Sequence, residues 1–448
     1  MSDLLSIGAS GVRAYQSALG TVSDNIANAS TPGYARRATT LAEVISTSGS
    51  LTQSRSIEQN GVVAGGVSRS SDAYAAATVR VAGSDLSRTQ TAATWLGQVQ
   101  NALTGNQLGE RVTGFFNAAT TLAADATSTT ARSVLLEAGT GVAHAFAGTA
   151  RALDQAGSDL DGTADDAAGK LNALGASLAK VNDALGRTAP SSAAGAGLAD
   201  QRDGLLEQMS ALSDIDVRTD ALGRANVRLG NASGPALVAG GEAGTLTYAR
   251  SDTGTVSFAV HLDAQTSAVT PMGGALAGIA DAASRITDAR AALNQLASGF
   301  ADGVNAVQAQ GRDANGQPGA AMFAAGATPA DLSLVLTDPA GVAAASAGGG
   351  PRDNSNLANF ASLRQSGGFE GKLTGMVANT GAALSAKQTV AAAQASIRDG
   401  ALSARDAVSG VNLDDEAVNL LRFQQAYQAS SRVIQVARET LQSILDIH

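Results

Sequence analysis

The chain has 448 residues, 44% of them hydrophobic but only 3% aromatic, with no cysteine and a formal net charge of −9. That length holds roughly two to four domains with Ala/Leu/Val-packed cores. Disulfides and thiolate chemistry are excluded, and an acidic chain without a basic block argues against nucleic acid as a partner. No run of about 18 apolar residues is present, so no membrane span is expected. The opening "MSDLLSIGASGVRAYQ" has no basic region followed by an apolar one, so no ordinary secretory signal is expected.

The first predicted element is a helix over 3–28, roughly 39 Å long. Leu5, Gly8, Val12, Tyr15, Leu19, Val22 and Ile26 recur at alternating gaps of 3 and 4, an apolar seam over three heptads. Asn28 closes it, and Pro32 forbids continuation because its ring fixes φ and it offers no N–H. Gly33 suits the turn, and Tyr34 is placed to fold back over the helix end. Residues 41–70 are rich in Ser and Gly and read as a linker or small β element around "GVVAGGVSR".

Helices are predicted over 72–103 and 109–125, then two consecutive helices or one bent one over 131–187, interrupted at Gly157 and Gly162. A short amphipathic helix covers 198–212. The period then falls to two. Ile215 and Val217, Val227 and Leu229, and Val256, Phe258, Val260 and Leu262 alternate with polar or small neighbours, which predicts a small antiparallel β domain over 214–271. Helical periodicity returns at 275–310, breaks over a Gly/Pro-rich stretch, and resumes from 371 to about 407. The stretch "AGVAAASAGGGPRDNSN" (340–356) reads as a surface loop.

The last element is a helix over 413–447, roughly 52 Å long. Asn412 is its N-cap, and Asp414, Asp415 and Glu416 supply negative charge where the helix dipole favours it. Ala417, Leu420, Gln424, Tyr427, Ser431, Ile434, Leu441 and Leu445 trace a second seam, in which Gln424 and Ser431 would fix register. Long amphipathic helices are marginal alone. Pairing the two termini, with everything between them inserted, is the economical arrangement.

Candidate chemical sites fail on spacing. "GTADDAAGKL" departs from a phosphate-binding loop in its glycine spacing and has Leu171 where Ser or Thr would hold Mg²⁺. Two calcium-loop lookalikes, 159–170 and 313–324, carry Ala164 and Pro318 at the turn glycine and lack the closing Glu. His144, His261 and His448 have no metal-ligand spacing. Asp200 and Asp203 flank Arg202 as a local salt bridge would. No catalytic constellation and no cofactor site is found.

"SDNIANASTPGYARR" and "SGVNLDDEAVNLLRFQQAYQASSRVIQVA" resemble the N- and C-terminal signatures of the axial proteins of the bacterial flagellum, the rod, hook and hook-associated proteins. "TLAADATSTTARSVLLEA" (121–138), "LADQRDGLLEQMSAL" (198–212) and the 273–323 region narrow the resemblance to the hook-associated proteins of the hook–filament junction. Met322 in place of a second Phe and a short β-rich middle are the departures. The resemblance implies a mainly α fold with an inserted small antiparallel β domain, coiled-coil-like paired terminal helices as an inner domain, and a helical-bundle middle domain. The corresponding divisions are 1–70, 71–213, 214–272, 273–407 and 408–448.

It further implies a structural subunit without enzyme activity, exported through the flagellar apparatus without a cleaved signal peptide to an extracellular position in the flagellum. The implied partners are hook protein subunits, the next hook-associated junction protein, its own copies in a ring, and an export chaperone on the C-terminal helix. Neither nucleic acid nor membrane is among them. Assembly contacts would fall on Val12, Tyr15, Leu19, Val22, Ile26, Asn28, Pro32, Gly33, Tyr34, Leu420, Gln424, Tyr427, Ile434 and Leu441. A hook or distal rod protein would share both termini but have a mostly β interior. A flagellum-associated hydrolase would need an acid–base pair that the sequence does not offer.

Overall fold

The computed structural model describes residues 2–44 and 61–446. Linker residues 45–60, the side chain of Leu445, and His448 lie outside the described residues. Helix α1 (Ser2–Ala27) leads into a hairpin of β1 (Arg37–Glu43) and β2 (Val62–Arg69). Four helices follow: α2 (Ala73–Gly105), α3 (Leu108–Ala124), α4 (Thr129–Arg187) and α5 (Ala193–Leu212). Asp72, Ser128 and Ser192 each cap a helix by accepting its free N–H groups.

The β insertion forms two antiparallel sheets. One orders β3 (Ile215–Thr219), β4 (Ala225–Leu229), β5 (Ala236–Ala239) and β6 (Glu242–Ala243); the other orders β7 (Thr245–Arg250), β8 (Val256–Leu262) and β9 (Gln265–Val269). Val227, Leu229, Phe258 and Val260 are buried, as their alternation requires. Both sheets are fastened to α4 by amides that complete strand backbones. Asn172 bonds both the N–H and the C=O of Leu246, and Asn182 does the same for Ala225. The fold is mainly α with an inserted small antiparallel β unit, as expected.

Helix α6 (Gly274–Gln310), the pair β10 (Phe323–Ala325) and β11 (Leu332–Leu334), α7 (Ala358–Gly367), α8 (Phe369–Ser409) and α9 (Leu413–Leu445) complete the chain. Seven of the nine phenylalanines, at 115, 116, 146, 300, 323, 360 and 369, form one ring-to-ring cluster with centroids 5.3–6.1 Å apart. The few aromatics are therefore concentrated at one point, where α3, α4, α6, α7 and α8 meet. Met322 is also fully buried.

Three expectations are corrected. The 131–187 region lies within one uninterrupted helix of 59 residues, 129–187, in which Gly157 admits a neighbour and Gly162 stands in open space without breaking it. A Cβ on Gly157 would meet the Arg250 guanidinium at 3.0 Å, and one on Gly175 would meet Val238 at 3.5 Å. The 340–356 stretch is not simply a surface loop, since Val342, Ala343, Ala344 and Ala345 are buried. Its backbone groups find side-chain partners, as buried irregular backbone must. Gln308 accepts from the Ala343 N–H at 2.7 Å, Asn356 donates to the Ala343 carbonyl at 2.7 Å, and buried Arg132 donates to the Val342 carbonyl at 2.6 Å. Finally, α7 precedes the resumption expected at 371, and Gly368 (φ +55°) separates it from α8.

Candidate assembly interface

The two terminal helices pack antiparallel. Tyr15 faces Phe423 with ring centroids 6.4 Å apart, and Asn25 reaches Glu416. A Cβ on Gly8 would lie 2.7 Å from Ile434, and one on Gly11 would lie 2.6 Å from the Ser430 hydroxyl. Those glycines permit the close approach. The contact stripe on α9 is Glu416, Leu420, Phe423, Tyr427, Ser430, Ile434 and Ala437, all buried or half-buried. On α1 the buried set is Gly8, Gly11, Ala14, Ala18, Thr21, Val22 and Asn25, with Val12, Tyr15 and Leu19 half-buried beside it.

The predicted seams are thus right in kind and displaced in detail. Gln424 is exposed and Phe423 holds its place, because the gaps after Leu420 run 3 then 4 rather than 4 then 3. Ile26 is 38% exposed, since it sits level with the first turn of α9 at the end of the pair. Leu441 is 37% exposed. Ile434 already stands opposite Gly8, so seven residues later α9 overhangs the start of α1. The hairpin covers an adjacent flank of α1, which is why Thr21 and Asn25 are buried. Thr21 and Thr39 share a hydroxyl hydrogen bond of 2.7 Å, and Ser10 accepts from the Val62 N–H.

Helix α1 stops at Ala27, before Pro32 is reached. Asn28 closes the last turn by donating to the Asp24 carbonyl at 2.9 Å. Thr31, Pro32 and Gly33 are exposed, with Gly33 at φ +79°. Tyr34 folds back, and its hydroxyl donates to the Asn25 side chain at 2.9 Å. Asn25 is fully buried and uses its amide completely. It accepts from the Arg37 N–H (3.0 Å) as well as Tyr34, and donates to the Arg37 carbonyl (2.7 Å) and to Glu416 (3.1 Å). Glu416, 1% exposed, also accepts from Arg36 at 2.7 Å. The knot joins both terminal signatures, and such fully satisfied buried networks specify one arrangement. Burial raises the Tyr34 hydroxyl pKa against the opposing pull of Arg37, whose guanidinium lies 4.8 Å from the ring centre.

Asp200 and Asp203 do not act only as a local pair with Arg202. Asp200 accepts from Arg37 and Arg69 at 2.8 and 2.6 Å, and Asp203 meets Arg69 and Arg202, both at 2.7 Å. Two clefts of about 750 and 530 Å³ flank the loop 29–35 where it crosses α5. Their charged side chains are engaged with one another or, for Asp72, with the N–H groups it caps, and neither cleft presents a nucleophile with a base. Among the described residues no group of His, Cys, Asp or Glu could hold a metal ion, and no helix is long and apolar enough to cross a membrane. Asn25, Arg36, Arg37 and Arg69 escaped the sequence reading, although the resemblance motifs contain three of them, and Glu416 enters that reading only as first-turn charge on α9. Periodicity weighs apolar residues only.

One further feature of α9 bears on its surroundings. Val418, Leu421 and Val436 are 59–66% exposed, on the side of α9 opposite its contact with α1, and Ile444 is 51% exposed on the overhanging end. The helix therefore carries two apolar faces and covers one.

The family model described as the flagellar hook-associated protein FlgK helical domain matches residues 96–323, about half the chain. The chain belongs to this flagellar hook-associated family. Models for the flagella basal body rod protein and for the basal body rod FlgEFG protein C-terminal region match 5–34 and 403–447. Curated relatives named flagellar hook-associated protein 1 include that of Escherichia coli, 26% identical over the whole of both chains. That of Bacillus subtilis is 24% identical over 97% of this chain and 96% of its own. A flagellar hook junction protein from Burkholderia pseudomallei shares the fold, with a TM-score of 0.64 at 16% identity. It covers 74% of this chain and all of its own. As a hook-associated family member the chain is a structural component of the hook–filament junction and not an enzyme. It belongs to the bacterial flagellum and associates with other hook and axial components.

Proposed function

We propose that the paired termini are the inner, wall-forming part of the subunit, with residues 1–70 and 408–448 as one domain. Residues 71–213 with 273–407 form the helical middle, and 214–272 form the β domain. The observation that carries this is the uncovered apolar face of α9. Exposed branched aliphatic residues on a helix whose other face is already paired mark a surface that packs on another protein. The partners in this reading are hook protein subunits, neighbouring copies in a ring, and the next hook-associated junction protein. Before assembly an export chaperone covers the same face of α9, and the chain reaches the outside of the cell through the flagellar export route without losing a signal peptide.

Tyr15, Leu420, Tyr427 and Ile434 then hold the pair together within one subunit. Val418, Leu421 and Val436 make the contacts between subunits, with Leu441 and Ile444 at the overhanging end. The exposed Pro32–Gly33 turn faces a neighbour. The test uses cells in which the chain carries Val418→Asp together with Leu421→Asp. Complete hooks without filaments, with the variant still exported, are the expected outcome in electron micrographs. Filaments attached as in the unaltered strain would refute the assignment. Chaperone capture is checked separately: removal of residues 413–448 should abolish it and leave the rest folded.

A further inference from the structure

Every crossing of the chain between the terminal pair and the helical body passes one helix face. The chain leaves α1 through Arg37, enters α2 just after Arg69, and leaves α8 for α9 just after Arg405. Asp200, Asp203 and Glu207 lie at i, i+3 and i+7 on α5, so they form one acidic stripe. Asp200 binds Arg37 and Arg69, Asp203 binds Arg69, and Glu207 binds Arg405. Half-buried Arg80 of α2 lies close enough to Asp203 and Glu207 to feel their charge.

The hairpin register makes Asp200 the decisive member. Arg37 and Arg69 are direct cross-strand partners at the open end of β1–β2. Like charges in that position repel and would splay the strands. Asp200 is inserted between them, and all three side chains are only 13–14% exposed. The hairpin is in turn bound to α1 through Asn25 and Thr21, and α1 to α9 through Glu416. Asp200 is thus the carboxylate of the helical body on which both strand arginines converge, and the Arg36 N–H adds a bond to the Ser409 carbonyl of α8 at 2.8 Å. A further contact, from the Val67 N–H to the Ser191 carbonyl at 2.6 Å, lies on the loop just before α5.

We propose that the acidic stripe of α5, keyed by Asp200, is an ionic joint that fixes the angle between the terminal helix pair and the helical body. Neutralising it leaves both parts folded and sets their relative orientation free.

The absence of cysteine from the chain allows clean spin labelling of the full-length protein. Labels at Ser23→Cys on α1 and Lys180→Cys on α4 report the distance across the joint by pulsed electron paramagnetic resonance. The unaltered joint should give one narrow distance distribution. Asp200→Asn, which keeps the shape and removes the charge, should at least double its width while circular dichroism and the main melting transition stay unchanged. Because the paired groups are only 13–14% exposed, about 1 M salt should broaden the unaltered protein far less than Asp200→Asn does. If Asp200→Asn disturbs the body itself, the pair Arg37→Gln and Arg69→Gln, which leaves α5 intact, must give the same broadening. A variant distribution as narrow as the parent's, or a parent as broad as the variant, overturns the joint.

Discussion

The helical body and the terminal pair are both helical and both amphipathic, yet they use their apolar residues in opposite ways. The body gathers seven phenylalanines into one cluster, with Phe115, Phe146 and Phe300 fully buried. The terminal pair buries glycine, alanine and a polar knot, and leaves Val418, Leu421, Val436 and Ile444 in water. The body's phenylalanines are packed internally, whereas α9 keeps one row of aliphatic side chains for another molecule. A core that satisfies itself and a helix that does not are what a subunit needs if it must first exist alone and then polymerise.

The largest effect should come from the body. Phe300→Ala removes a side chain that touches five other rings. A loss of about 3–5 kcal/mol is expected, read as a clear drop in the main melting transition. Phe423→Ala at the terminal pair should leave that transition in place, and equal drops would erase the distinction between the two regions.

Arg132→Met comes next. It strands the carbonyls of Ala126 and Val342, to which the buried guanidinium now donates at 2.9 and 2.6 Å. About 1.5–3 kcal/mol should be lost, with faster amide exchange confined to residues near 339–345. Asn25→Leu should cost about 1–3 kcal/mol by leaving the knot's donors and acceptors unmatched. That loss should appear as faster exchange in α1 and α9 with the body unchanged. Slowed exchange, or loss spread into α4, would contradict the boundary between the regions.

The smallest effect is a titration. Burial, together with the hydrogen bond to Asp161, pushes the Tyr248 hydroxyl up to about 12 from 10.0. Because the folded state holds this proton more tightly than the unfolded one, its contribution is complete below pH 10. It is lost as pH rises from about 10 to about 12. Tyrosinate absorbance should lose its latest-titrating component in Tyr248→Phe.

Much of the fold was legible because periodicity reports burial. The alternation at Val256, Phe258, Val260 and Leu262 gave a strand, and the helical periods gave nearly every long helix. Glycine misled where it served packing, as at Gly157, since composition cannot tell a break from a close approach. Residues 342–345 misled because tertiary amides, not local sequence, satisfy their backbone. At the termini the seams emerged, but the hairpin that shifts burial toward Asn25 is a long-range partner. The polar knot stayed hidden for the same reason: Asn25 and Glu416 are 391 residues apart.

The most direct test of the contrast is amide hydrogen exchange on the full chain, free in solution and after incorporation into flagella. The account predicts that in the free subunit α1 and α9 exchange far faster than α3 and the 135–178 core of α4. On incorporation they should become as protected as that core. Terminal helices already as protected as α4 in the free subunit would contradict it, because the pair would then be complete without a partner.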